Sequence, residues 1–137
     1  MGYGQLAHKL RTDPRVTVLE RTNARVLEPA VVGGPADLTV VDASFIGLGK
    51  LLGAIARCTH AGGDLVALVK PQFEVGREEA TRGKGVVRDD HVRAKAIAAA
   101  VEEVQQAGFE LRGQSDSVLR GPKGNRETFV WARRRPG

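Results

Sequence analysis

Cysteine is almost absent from this 137-residue chain, Cys58 being the single one. One thiol excludes an intrachain disulfide and a thiolate metal cluster. Its apolar helical surroundings mark it as a small buried filler rather than a reactive group. Long hydrophobic runs are missing as well. Stretches such as Leu65 to Val69 fall far short of the ~20 residues that a membrane-spanning helix requires. The opening Met1-Gly2-Tyr3-Gly4-Gln5 lacks the charged and then apolar regions of a secretory signal. His8, His60 and His91 share no metal-ligand spacing, so no metal is expected. Neither an internal repeat nor a low-complexity tract interrupts the chain. These absences describe a cytoplasmic protein with no stable membrane association.

What is present points to one soluble domain. Hydrophobic residues make up 42% of the chain and charged residues 27%, enough for a packed core under a solvated surface. The formal net charge of +5 suits a phosphate-rich partner such as nucleic acid or an anionic membrane. Ordinary soluble enzymes reach this basicity too, so charge alone does not decide.

The pattern of apolar residues divides the chain into alternating strands and helices. Tyr3 to Arg11 suits a short helix, with Leu6 and Leu10 on one face and Pro14 as its break. Val16–Leu19 and Leu38–Asp42 are β-branched runs that suggest strands. Leu48, Leu51, Leu52 and Ile55 follow at helical spacing, and Gly62-Gly63 reads as the stop of that helix. Leu65–Val69 is an unbroken apolar run, the pattern expected of a strand covered on both faces. Gly76 to Arg88 carries glycines and charges without an apolar period and reads as a mobile loop. Asp89 is placed to cap a helix with Val92, Ala96, Ile97, Ala100, Val101 and Val104 on one face, stopped at Gly108. Two strands close the chain near 109–111 and 128–132, joined by a loop at Gly121–Asn125. Trp131 in the last strand is read as a core residue rather than a base-stacking platform. Alternation of this kind defines an α/β fold with a mostly parallel sheet. The last two strands have no helix between them and are expected to pair antiparallel.

In open α/β sheets, ligands bind beyond the carboxyl ends of the parallel strands. Asp42 ends one strand there and Lys70 ends the next. If the final strand runs antiparallel, its first residue, Glu127, lies at the same rim. Each charge alone is ordinary at a strand end; three converging from separate stretches make a candidate site.

Six stretches then carry a specific resemblance. They are Gly2-Tyr3-Gly4-Gln5-Leu6, Glu20-Arg21-Thr22-Asn23, Val41-Asp42-Ala43-Ser44-Phe45-Ile46, Leu68-Val69-Lys70-Pro71-Gln72-Phe73-Glu74-Val75-Gly76, Lys84-Gly85-Val86-Val87-Arg88-Asp89 and Gly121-Pro122-Lys123-Gly124-Asn125-Arg126-Glu127. In this order they resemble the TlyA family, hemolysin A-like proteins with an FtsJ-type methyltransferase domain. The resemblance implies a Rossmann-like methyltransferase sheet and transfer of a methyl group from S-adenosylmethionine to cytidine 2′-hydroxyls of 16S and 23S ribosomal RNA. It implies ribosomal RNA and ribosomal subunits as partners. The family's active site is a Lys-Asp-Lys-Glu set, and by motif Asp42, Lys70 and Glu127 are its last three members. Asp42, Phe45 and Asn23 become cofactor-binding candidates, Asn23 through its side-chain amide near the adenine.

The chemistry asks little of the protein beyond alignment and handling one proton. A ribose hydroxyl is a weak nucleophile, whereas a methyl sulfonium is already electrophilic. Lys70 is the candidate base. A lysine serves as a base near neutrality only when its pKa falls to roughly 7–8, through burial and a second cation nearby. The family's other lysine would be that cation.

By the same resemblance, that lysine, the glycine-rich cofactor loop, the first sheet strand and an S4-type RNA-binding domain are expected to lie before Met1. The chain is therefore expected to be a partial methyltransferase domain, a fragment or an internally started gene model with impaired activity. Without the first strand, Val16–Leu19 would lack a neighbour, and exposed sheet edges would favour self-association.

Other signals weigh less. Gly76 to Gly85 has six residues between Gly76 and Gly83 where a P-loop has four, and no Ser or Thr follows Lys84. Arg77, Lys84 and Arg88 face two readings, a solvated loop or contacts with RNA phosphates; Lys123 and Arg126, beside Glu127, are better placed for RNA. A membrane-active hemolysin and a non-catalytic RNA-binding fragment are the alternative functions, separable by liposome leakage and by salt-dependent RNA affinity.

Overall fold

The computed structural model describes residues 6–43, 46–75 and 85–136. Four strands form one sheet: β1 (Ala36–Val41), β2 (Thr59–Val69), β3 (Phe109–Arg120) and β4 (Arg126–Arg134). Their spatial order is β1-β2-β4-β3, with β1 parallel to β2 and β4 antiparallel to both its neighbours. Three strands thus point one way and the last runs back between two of them, the mostly parallel α/β sheet that the sequence predicts.

The described helices are α1 (His8–Arg11), α2 (Leu52–Arg57), α3 (Pro71–Glu74) and α4 (Asp90–Gln106), with short 3-10 turns that include Leu48–Lys50. α4 begins where the Asp89 carboxylate accepts hydrogen bonds from the backbone N–H groups of His91 (2.8 Å) and Val92 (3.2 Å). These are two of the four donors that a helix start leaves without partners. Ala96, Ile97, Ala100 and Val104 are buried on one face of α4, at the three- and four-residue spacing of a helical stripe. Ile97, Ala100 and Val104 pack with Leu51, Leu52, Ile55, Leu65, Ala67, Val69, Phe109, Val130 and Ala132 into a single core.

Among the described residues that core lies on one side of the sheet only. Along β2, Leu65, Ala67 and Val69 are buried while Val66 and Leu68 are half-buried. On the opposite face Val40 is 70% exposed, Phe129 42% and Trp131 40%. The unbroken apolar run of β2 therefore does not mean two covered faces, and Trp131 is not a core residue. Both expectations are corrected by the same cause: among the described residues α2 and α4 cover one face.

Two boundaries also differ. α2 stops at Arg57 with Cys58 as its cap, and Gly62-Gly63 lies inside β2 rather than at a helix end. The β1–β2 register jumps from Ala36↔Thr59 to Leu38↔Asp64, a bulge. Gly62 has φ +82, and a Cβ on Gly63 would stand 3.0 Å from the Asp37 and His60 carbonyls. The glycines thus permit a bulge that side chains would block. Val16–Leu19 forms no strand. No described strand lies beside it to accept its ladder, and an unpaired segment gains nothing from the extended form. Of the helix expected over Tyr3 to Arg11, only His8–Arg11 is helical among the described residues.

Candidate active site at the carboxyl rim of the sheet

The antiparallel course of β4 brings the first residues of that strand to the ends of β1 and β2. Val69 lies opposite Thr128, so one step further along the sheet Lys70 and Glu127 leave it side by side. Asp42 follows Val41 at the end of β1. The Lys70 Nζ and an Asp42 Oδ1 are 2.5 Å apart, an ion pair between a lysine side chain only 11% exposed and a carboxylate 70% exposed. Asp42 and Glu127 both line a hollow of about 460 Å³ on the open face, together with Val40, Leu68, Arg120 and Phe129. The three charges selected from sequence thus meet at one rim.

Glu127 is held differently from Asp42. It is 5% exposed, and one oxygen accepts a 2.8 Å hydrogen bond from the Gln72 side-chain amide. α3 delivers Gln72, since Pro71 starts a helical turn directly after Lys70. Gly121 closes the other side: a Cβ there would lie 2.1 Å from the Glu127 Oε2. The turn between β3 and β4 is pinned by Asn125, 2% exposed. Its Oδ1 accepts from the Val87 N–H (2.9 Å), its amide donates to the Gly85 carbonyl (2.8 Å), and its own carbonyl accepts from the Gly121 N–H (2.7 Å).

A third carboxylate lies at the end of α3. Glu74, the last residue of α3, accepts a hydrogen bond from the Leu48 N–H (2.5 Å) at the start of the Leu48–Lys50 turn. Burial pushes the Glu74 carboxyl above its ordinary 4.5; the Leu48 bond opposes that rise and the nearby Glu103 adds to it. Cys58 is half-buried, and burial raises its thiol, in keeping with a filler role.

A larger groove of about 690 Å³ runs along the free edge of β1, lined by Ala24, Leu27, Val41, Asp42, Ala43 and Ile55 among others. Asn23 is exposed beside it and caps the Ala24–Val26 turn, its Oδ1 accepting from the Arg25 N–H at 3.0 Å. Phe45, Arg77 and Lys84 lie outside the described residues. Of the other cations singled out for RNA, Arg88 and Lys123 are exposed. Arg126 forms an ion pair with Asp90 at the first turn of α4. Arg120, at the edge of the hollow, escapes sequence reasoning because nothing in its neighbourhood marks it.

A mostly parallel sheet of this order matches methyltransferase-like folds. The chain matches the family described as FtsJ-like methyltransferase over residues 1–134 and belongs to it. It is 50% identical over 133 residues to the Mycobacterium tuberculosis 16S/23S rRNA (cytidine-2′-O)-methyltransferase TlyA, covering 97% of this chain and 49% of that protein. A solved Streptococcus thermophilus protein, named as a hemolysin, superposes with a TM-score of 0.93 at 36% identity over 99% of this chain and 49% of its own. Another hemolysin-named structure, from Lactococcus lactis, has a TM-score of 0.90 at 37% identity, covering 96% of this chain and 63% of its own. The chain spans about half the length of the curated relatives it matches. No helix among the described residues is long and apolar enough to cross a membrane.

Proposed function

We propose that this chain carries the catalytic rim of an S-adenosylmethionine-dependent 2′-O-methyltransferase acting on cytidine in ribosomal RNA. The observation that carries the reading is the 2.5 Å Lys70–Asp42 pair at the carboxyl ends of parallel strands, beside a hollow that Glu127 also lines. The relative named TlyA has this activity, and half its length matches this chain.

At the carboxyl end of β1 the Asp42 carboxylate would give the cofactor's cationic sulfonium a counter-charge. Asn23 spends its side-chain oxygen on capping, which leaves its amide donors for an adenine ring nitrogen. Asp42 and Asn23 would hold the cofactor, which supplies an electrophilic methyl group.

The chain's own side chains divide the work. Lys70, as the neutral amine, takes the proton of the ribose hydroxyl, and the ammonium so formed is paired by Asp42. Glu127 accepts the hydroxyl hydrogen bond and sets the oxygen in line for attack. Lys123 and Arg126 flank Glu127 and, with Arg88 and the residues at Arg77 and Lys84, are assigned to RNA phosphates.

The test is methyl transfer from labelled S-adenosylmethionine to ribosomal RNA by the full-length protein, with the product mapped as 2′-O-methylcytidine. The Lys70→Ala variant is expected to abolish transfer. Near-normal transfer by that variant would overturn the assignment.

A further inference from the structure

We propose that Gln72 is a positioning residue for methyl transfer, its side-chain amide holding the Glu127 carboxylate as an acceptor at the rim hollow. The inference rests on the role given to Glu127 in the preceding subsection and identifies what orients it.

The first observation is the contact. Gln72 is 7% exposed, and its Nε2 donates to the Glu127 Oε2 at 2.8 Å across 55 residues of sequence. A carboxylate offers only acceptors, so an amide beside it has one workable orientation, nitrogen toward oxygen. The second observation is confinement. Gly121 leaves room for that same oxygen where a Cβ would stand only 2.1 Å from it. The oxygen is thus held between an amide donor and a backbone too close to carry a side chain.

The third observation separates this from plain packing. The Gln72 Oε1 is buried and has no hydrogen-bond partner among the described residues. Leaving a buried acceptor unpaired is unfavourable. Met or Leu would fill the site without that penalty, so packing alone does not account for an amide here. The donor does.

The choice of a neutral donor also matters. Asp42 faces the Lys70 ammonium, whereas the hydrogen bond to Glu127 from Gln72 brings no charge. One rim carboxylate is engaged in an ion pair while the other is oriented by an uncharged donor, which leaves its negative charge free to attract a substrate hydroxyl. Two carboxylates at one rim are thereby given different tasks by their neighbours.

Four forms of the full-length protein test the proposal: parent, Gln72→Met, Glu127→Gln and the double variant. Gln72→Asn, one methylene too short to keep the contact, stands in if Gln72→Met does not fold. Methyl transfer to ribosomal RNA gives kcat and KM, and urea unfolding of the same proteins gives a second cycle. Gln72→Met is expected to lower kcat by about tenfold to a hundredfold, the scale of a misplaced group. KM for RNA should stay within about threefold, and the double variant should be no slower than Glu127→Gln alone. A parental rate in Gln72→Met, or losses that multiply in the double variant, overturns the proposal. If the parent transfers no methyl group, the proposed function fails by itself. The unfolding cycle then still decides the contact: non-additive midpoints support it and additive midpoints overturn it.

Discussion

Replacing Gly121 with Ala tests the rim geometry most directly. The new Cβ would sit 2.1 Å from the Glu127 Oε2 and 2.6 Å from its Cδ, where ordinary contact begins at 3.4 Å. Either the carboxylate retreats by about 1.3 Å or the backbone moves by a similar amount. The backbone is the stiffer partner, because the Gly121 N–H is bonded to the Asn125 carbonyl at 2.7 Å and the Asn125 side chain is tied to Val87 and Gly85. The carboxylate yields instead, and its 2.8 Å bond to Gln72 is broken. Overpacking of this kind costs about 1–3 kcal/mol of stability, less than the ~5–15 kcal/mol that a typical domain has available. The protein stays folded. A displacement near 1 Å at a reacting group costs roughly 10²-fold in rate, close to 3 kcal/mol in barrier. Gly121→Ala should therefore lose about a hundredfold in kcat while its urea midpoint falls only modestly. In a Glu127→Gln background the same change should cost little further rate. Methyl transfer within about threefold of the parent would refute the reasoning, as would an activity loss that merely tracks the folded fraction.

Two further predictions concern stability. Glu74 has its carboxyl raised by burial, so the folded state binds its proton more tightly than the unfolded chain does. The stability this provides is complete below the ordinary value of 4.5 and is lost as pH rises through the raised value. Glu74→Gln keeps an acceptor for the Leu48 N–H and has no charge to desolvate. It should be more stable than the parent at pH 7, with the gap closing toward pH 4; a parent that is the more stable at pH 7 in urea unfolding contradicts this. At the start of α4, Asp89→Ala should cost about 1 kcal/mol and Asp89→Asn far less, since either Asp or Asn caps the helix. Thermal unfolding of both variants decides it, and equal losses would show that the cap oxygen is not the cause.

The parts of the fold legible in sequence are those with a local signature. Leu38–Val41 and Leu65–Val69 show their β-branched or unbroken apolar runs, Asp89 shows its cap, and the missing helix between 111 and 126 announces an antiparallel pair. The topology then placed Asp42, Lys70 and Glu127 at one rim without any knowledge of distances. What stayed hidden depends on partners far away in the chain. Gly62-Gly63 looks like a helix stop, and only the register against β1 makes it a bulge. Ser115 and Asp116 fall outside the strand expected near 109–111, yet they are strand because β4 offers them a ladder. Gln72 carries no charge and fits no pattern by itself, although it stands two residues from Lys70; its meaning arises from an oxygen 55 positions on. Trp131 and the outer face of β2 misled because apolar composition reports that a residue prefers burial, not which surface covers it.

The place of β4 in the sheet has a consequence for how the protein comes into being. β4 is made after β3, yet it lies between β2 and β3. After β2 is complete, roughly 60 more residues must be translated before its neighbour is available, which takes ~3–12 s at ~5–20 residues per second. Through that interval the strand that leads to Lys70 waits with an unfilled flank, and the pairing that closes it has high contact order and is intrinsically slow. The rim thus exists in no nascent chain shorter than β4. A stop codon before Arg126 would leave β3 with no strand joining it to β2, so the nine residues of β4 decide whether the candidate site forms.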